Sequence, residues 1–147
     1  FCSKKQNVKV LTAELKRAKL AVEEIHSDLD QKSREQYLQD FRNQKTNILV
    51  ATDILSRGID IDDIDLVINY DVPNDGEDYI HRIGRTARAA TSGTAFTLVG
   101  EKEQSKFATI EELLGAPVTK GTIPATFGPT PAYAPKIRSN KGFNHRR

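Results

Sequence analysis

Apolar residues recur along this chain with two different periods. Over residues 5–19, Val8, Leu11, Leu15 and Ala18 stand three or four apart, which places them on one stripe of a helix. Asp30 is a residue type that caps helices, and it precedes a second helical pattern over 31–43 with Tyr37, Leu38 and Phe41 on its inner side. Between them, residues 21–26 are short and bounded by charge, as in a strand. Phe1-Cys2 reads as the end of another strand. Ile48-Leu49-Val50-Ala51 is apolar at every position, the pattern of a strand buried on both faces. Leu66-Val67-Ile68 and Ala95-Phe96-Thr97-Leu98-Val99 repeat it. Residues 76–83 predict a short helix, and residues 101–114 a last one with Phe107, Ile110, Leu113 and Leu114 inward. Helical and buried-strand patterns alternate, which predicts an α/β fold with a mainly parallel sheet flanked by helices.

Composition narrows the class. At 147 residues there is room for one domain of ordinary size, and 37% hydrophobic against 29% charged residues suits a globular protein. One cysteine, Cys2, excludes a disulfide framework, and three scattered histidines add no Cys/His zinc pattern, so no metal is expected. No apolar run approaches the roughly 18–20 residues of a membrane span, and the polar start after Phe1-Cys2-Ser3 carries no signal peptide. A monomer in the cytoplasm is the expectation. The chain holds no methionine and reads as a piece of a longer one.

Charge divides the sequence. Residues 115–147 contain six basic residues, no acidic one and five of the six prolines. Against totals of 22 basic and 20 acidic residues, 1–114 is left with 16 and 20, a net of −4. An acidic body over 1–114 and a basic Pro/Gly-rich tail over 115–147 follow. The tail suits a solvated linker or a salt-sensitive hold on a polyanion, and Phe127, Tyr133 and Phe143 among its charges suit stacking on unpaired bases. It also suits a strap, with Pro117, Ile123, Pro124 and Phe127 laid in an apolar groove.

In a parallel sheet the ligand lies beyond the carboxyl ends of the strands. The loops there are polar: residues 52–60 after the third strand, and Asn69-Tyr70-Asp71-Val72-Pro73 leading into Tyr79-Ile80-His81-Arg82-Ile83-Gly84-Arg85-Thr86-Ala87-Arg88. Arg82, Arg85 and Arg88 fall three apart and share a face if helical. Arg85 and Arg88, converging beside Gly84, offer planar forks suited to a terminal phosphate. The same spacing also suits a surface helix paired with Asp75, Glu77 and Asp78. No G-x-x-x-x-G-K-[ST] phosphate loop is present, so any nucleotide site here is a partial one.

Four segments together resemble the second, C-terminal RecA-like domain of DEAD-box RNA helicases. His26-Ser27-Asp28-Leu29 with Gln31-Lys32-Ser33-Arg34 is similar to H-G-x-x-x-Q-x-x-R. Ala51-Thr52-Asp53 through Arg57-Gly58-Ile59-Asp60 is similar to A-T-D-x-x-x-R-G-x-D. Val67 to Pro73 and the H-R-I-G-R-T-x-R run of His81 to Arg88 complete the set, in order, over residues 1–114.

The resemblance implies a RecA-like three-layer sandwich forming half of an ATP-dependent RNA helicase that couples ATP hydrolysis to duplex unwinding. ATP and Mg2+ would be held mainly by a preceding RecA-like domain. Arg85 and Arg88 would reach the γ-phosphate, with Arg88 in the finger position, and Asp60 would lie near the ribose and the catalytic water. His81 and Arg82 would join the two domains. Arg34, Thr52, Arg57 and Gly58 would meet the RNA backbone, a contact that carries no base sequence. Alone, the domain is expected to be inactive. Ala87 stands where the family has Gly, and a helical conformation is expected there. Ser27 replaces another Gly and adds a hydroxyl on the RNA side. The alternative function is a non-catalytic RNA-binding or regulatory module that keeps the fold.

Overall fold

The computed structural model describes residues 1–54, 61, 64–88 and 91–136, and only the backbone of Ala87, Arg88, Thr91 and Ser92. It divides into two compact units, Phe1–Leu98 and Val99–Arg147.

In the first unit, strands β1 (Val22–Ile25) and β2 (Ile48–Ala51) pair in parallel, with Val22 opposite Ile48. Side chains alternate across a strand, so the two faces receive different helices. On one face α1 (Lys5–Arg17) brings Val8, Leu11 and Leu15 onto Cys2, Val22, Ile48 and Val50. On the other, α2 (Gln31–Arg42) brings Tyr37, Leu38 and Phe41 onto Ile25, Leu49, Ala51 and Ile61. The result is helix, sheet, helix. Asp30 caps α2 as expected, its carboxylate accepting the Ser33 N–H at 2.8 Å. Ala18, the last member of the expected stripe, lies beyond the end of α1 and is exposed. Cys2 is fully buried, and burial pushes its thiol pKa up, which leaves an unreactive apolar filler.

A second parallel pair joins β3 (Leu66–Asn69) to β6 (Thr94–Thr97), with Leu66 opposite Thr94. Helix α3 (Gly76–Ile83) packs on β3 and is capped by Asp75, which accepts the Asp78 N–H at 2.8 Å. A short antiparallel hairpin, β4 (Ala87–Arg88) with β5 (Thr91–Ser92), was not legible in the hydrophobic pattern.

Strands β2 and β3 do not pair with each other. Phe1 and Cys2 lie between them. Cys2 N–H donates to Ala51 O at 2.9 Å, Tyr70 N–H donates to Phe1 O at 2.8 Å, and the Phe1 amine donates to Ile68 O at 2.6 Å. The rest of the space between the strands is an apolar slot of about 1000 Å³, lined among others by Leu11, Leu15, Ile48, Val50, Leu66 and Ile68. The expectation of strands buried on both faces holds for part of each strand. Val50 and Ala51 are buried, but Leu66 and Ile68 are 46% and 45% exposed.

In the second unit, a 3-10 turn (Glu101–Glu103) leads into α4 (Gln104–Leu114). Gly115, at φ 69°, takes the left-handed conformation that ends the helix. Phe107 and Ile110 are buried as expected, whereas Leu113 is 60% exposed. The chain beyond returns along α4. The Gln104 side chain donates to Ala132 O at 2.9 Å and accepts the Ala134 N–H at 2.8 Å. Glu111 accepts from Val118 N–H at 2.7 Å, from the Tyr133 hydroxyl at 2.6 Å and from the Lys120 ammonium. The Tyr133 and Phe107 rings meet edge to face at 6.3 Å. Residues 115–136 therefore form a strap, but not the expected apolar one. Ile123 and Phe127 are 50% and 80% exposed, and polar bonds to α4 hold the segment instead. Phe143 and the basic residues from Arg138 onward lie outside the described residues.

Candidate functional site

Because β1, β2 and β3 run in one direction, their carboxyl ends collect on one edge of the first unit, where ligands of such sheets bind. Ser3 follows the Phe1–Cys2 segment, Ser27 follows β1, Thr52 and Asp53 follow β2, and Asp71 follows β3. Ser3, Lys5, Ser27, Thr52, Asp53 and Ile54 line a cleft of about 260 Å³. Thr52 N–H donates to Ile25 O at 3.2 Å. Its Oγ1 is buried with no hydrogen-bond partner among the described residues. Lys5 and Lys9 each place an ammonium 2.8 Å from Asp28, and these hydrogen bonds hold the Asp28 carboxyl down at about 2.

His26 is buried beside the cleft. The Asp28 N–H donates to its Nδ1 at 3.3 Å, which leaves the ring proton on Nε2, 3.3 Å from Glu24 Oε1. Both nitrogens are occupied, so His26 packs and caps. Arg34 is half-buried on α2, with Nη1 3.5 Å from Gln31 Oε1 and Nε without a partner among the described residues.

Arg82 was expected with His81 at a contact between domains. Only His81 is exposed; Arg82 is 0% exposed. Its guanidinium is used inside the unit. Nε and Nη2 donate to the two Asp53 carboxylate oxygens at 2.5 and 2.8 Å, Nη2 also to Ser3 Oγ at 3.1 Å, and Nη1 to Asp71 O at 3.1 Å. The Phe1 ring lies 5.7 Å from the guanidinium carbon. Asp71 in turn accepts the Ser3 N–H at 2.9 Å and the Ser3 hydroxyl at 2.6 Å. Sequence reasoning named Asp53 and Asp71 only as parts of motifs and gave neither a role. The available signal was an arginine amid Ile80 and Ile83 with an acid at the end of each central strand.

The arginine run is not one helix face. Helix α3 ends at Ile83, Arg85 stands half-buried in the turn after Gly84, and Arg88 belongs to β4. Gly84 allows a tight ending, since a Cβ there would lie 3.0 Å from Ile80 O. Ala87 is extended, not helical, and its φ is not positive, so replacement of Gly costs no left-handed strain. Arg57, Gly58 and Asp60 lie outside the described residues, as does the side chain of Arg88.

The profile of the helicase conserved C-terminal domain matches residues 1–90. The ATP-dependent rRNA helicase RRP3 of Encephalitozoon cuniculi is 46% identical over 111 residues, which cover 76% of this chain and 28% of that protein. The crystal structure of a DEAD box protein from the hyperthermophile Methanococcus jannaschii overlays 80% of this chain, and 32% of its own, at TM-score 0.76 and 40% identity. This chain is a DEAD-box C-terminal domain. Saccharomyces cerevisiae Dbp5 bound to RNA and ADP BeF3 gives a TM-score of 0.72 at 34% identity over 77% of this chain and 31% of that one. The fold is accordingly the RecA-like α/β sandwich of these helicases. The DEAD-box domain spans less than a third of the length of these relatives.

Proposed function

We propose that this domain is the RNA-gripping and phosphate-sensing half of an ATP-dependent RNA helicase. The observation that carries the reading is the cleft at the carboxyl edge of the sheet. It brings two serine hydroxyls, a lysine and a threonine hydroxyl without a described partner to one place. Small hydroxyl side chains permit close approach of a sugar-phosphate backbone, and Lys5 supplies charge. By the family resemblance Arg34, Arg57 and Gly58 would add to this grip, the last two lying outside the described residues.

The residues present fit a share of a nucleotide site. Exposed His81 and half-buried Arg85 stand four residues apart at the end of α3, and Arg88 follows in β4. Arg85 and Arg88 would take the γ-phosphate, with Asp60 near the ribose. The sequence holds no phosphate loop, so a preceding RecA-like domain, facing His81, would hold the rest of ATP and Mg2+. Bound nucleotide supplies the phosphoryl group whose transfer drives remodelling. This chain contributes fixed positive charge where negative charge develops.

Fluorescence anisotropy with labelled ten-nucleotide oligouridylate and oligoadenylate tests the RNA half. Equal, weak affinities that fall as salt rises are expected, and Thr52→Val should weaken both severalfold. A large preference for either base, or no effect of Thr52→Val, refutes it. For the nucleotide half, the 147-residue chain alone should show no ATPase above blank. Joined to a phosphate-loop domain, Arg88→Ala should cut kcat while leaving KM nearly unchanged. A raised KM with kcat intact refutes the finger role.

A further inference from the structure

We propose that Lys120 is an acylation site whose charge latches the strap onto α4. Its ammonium is held in three ways at once. It donates to the Glu111 carboxylate and, at 2.6 Å, to Val118 O. It also lies 4.3 Å from the centre of the Tyr133 ring and 5.7 Å from that of Phe107. The two rings meet edge to face, so they wall the cation as a two-sided aromatic cage. Phe107 and Glu111 belong to α4, whereas Val118, Lys120 and Tyr133 belong to the strap, so the ammonium fastens one to the other. The Lys120 side chain is nevertheless 39% exposed, within reach of a reagent.

An acyl thioester is the class of reagent that undoes this fastening. The deprotonated Nζ forms an amide bond to the acyl carbon as the carbon–sulfur bond breaks. The nitrogen gives up two protons in all, one to solvent and one to the departing thiol. An ammonium carries three donors and a secondary amide nitrogen one. One N–H cannot serve both Glu111 and Val118 O, and the neutral group loses its attraction to the carboxylate and the rings. Monomethylation makes the contrast, because it keeps the charge and leaves two donors, one for each acceptor. An acylated Lys120 therefore opens the strap, and a monomethylated one leaves it shut. Opening frees residues 115–136 from α4 and takes the Tyr133 ring away from Phe107.

The test uses the 147-residue chain with acetyl-lysine or monomethyl-lysine encoded in place of Lys120, followed by amide hydrogen exchange at Val118 and Ala134. The Val118 N–H is bonded to Glu111 beside the latch, and the Ala134 N–H to Gln104 at the other end of α4. Acetyl-lysine should lower the protection of both by about tenfold or more, while monomethyl-lysine should match the wild type. Protection of the Ser33 amide in the first unit should stay unchanged and shows that the chain is folded. If it does not stay unchanged, Lys120→Gln against Lys120→Arg decides, the first opening the strap and the second leaving it shut. Full protection with acetyl-lysine overturns the latch, as does a loss confined to Val118 or an equal loss with monomethyl-lysine. Wild-type chain treated with acetyl-coenzyme A should yield an acetylated Lys120 peptide by mass spectrometry, and its absence overturns the site.

Discussion

Tyr133→Phe should loosen the strap over α4 by a predictable amount. The mutation deletes one hydroxyl, which donates to Glu111 Oε2 at 2.6 Å, and leaves the ring against Phe107. The Glu111 side chain is 13% exposed, so the lost bond is one to a poorly solvated charge. Such bonds contribute about 1.5 kcal/mol at the low end of their range. That corresponds to about a tenfold rise in the population of the detached strap. Amide hydrogen exchange reads it directly, because Val118 and Ala134 N–H are bonded to Glu111 and Gln104 only when the strap is docked. Protection of both should fall about tenfold. The strap should also have a pH window. Burial pushes the Glu111 carboxyl up, but the hydrogen bonds from Lys120, Tyr133 and Val118 outweigh it and leave the group below its ordinary 4.5. Its contribution is therefore complete above pH 4.5 and is lost as pH falls through the lowered folded value. Burial first, then Glu111, raises Tyr133 above its ordinary 10.0. That contribution is complete below pH 10 and is lost as pH rises through the raised folded value. Corrected protection should thus hold between about pH 5 and 10 and fall on both sides. Unchanged protection in Tyr133→Phe, or a strap that stays docked in acid, refutes the anchoring role of Glu111.

Arg82→Met should lower the stability of the first unit by about 3 kcal/mol, because it leaves Asp53 next to a buried apolar side chain; urea denaturation measures it, and a loss below about 1 kcal/mol would show that the ion pair is solvated. Gly93→Ala should cost about 1–3 kcal/mol by overpacking, since the added Cβ would lie 2.5 Å from Thr86 Cβ and 2.6 Å from Thr86 O; the same denaturation checks it. Asp30→Ala should cut the protection of the Ser33 amide severalfold, and Asp30→Ser should restore it, as read by hydrogen exchange.

The helices were legible because their evidence is local. Val8, Leu11 and Leu15 repeat at helical spacing, and Asp30 announces a helix start within three residues. Parallel pairing and the carboxyl-edge site followed from alternation of element types. The hairpin of Ala87–Arg88 with Thr91–Ser92 was not legible, because two-residue strands carry no periodic signal. The arginine spacing misled for a related reason. A run at i and i+3 predicts a shared face only while the helix continues, and α3 stops at Ile83. The bonds of Arg82 inside the first unit were not legible, because a charged residue reads as surface until its partners are known, and those partners lie 11, 29 and 79 residues away. The strap was half legible. Its basic, proline-rich composition marked it as separate, but the bonds of Gln104 and Glu111 to backbone groups depend on backbone direction, which side-chain patterns do not encode.

The carboxyl edge is where the two halves of the first unit are fastened together. The fork of Arg82 ties the Asp53 carboxylate, after β2, to the Asp71 carbonyl, after β3, and the Ser3 hydroxyl meets both Arg82 and the Asp71 carboxylate. The same edge holds the cleft, flanked on one side by Thr52 and Asp53 of the β2 half and bounded on the other through Ser3 by Asp71 of the β3 half. A ligand seated there rests against this clasp, so its binding and the cohesion of the two halves strengthen each other.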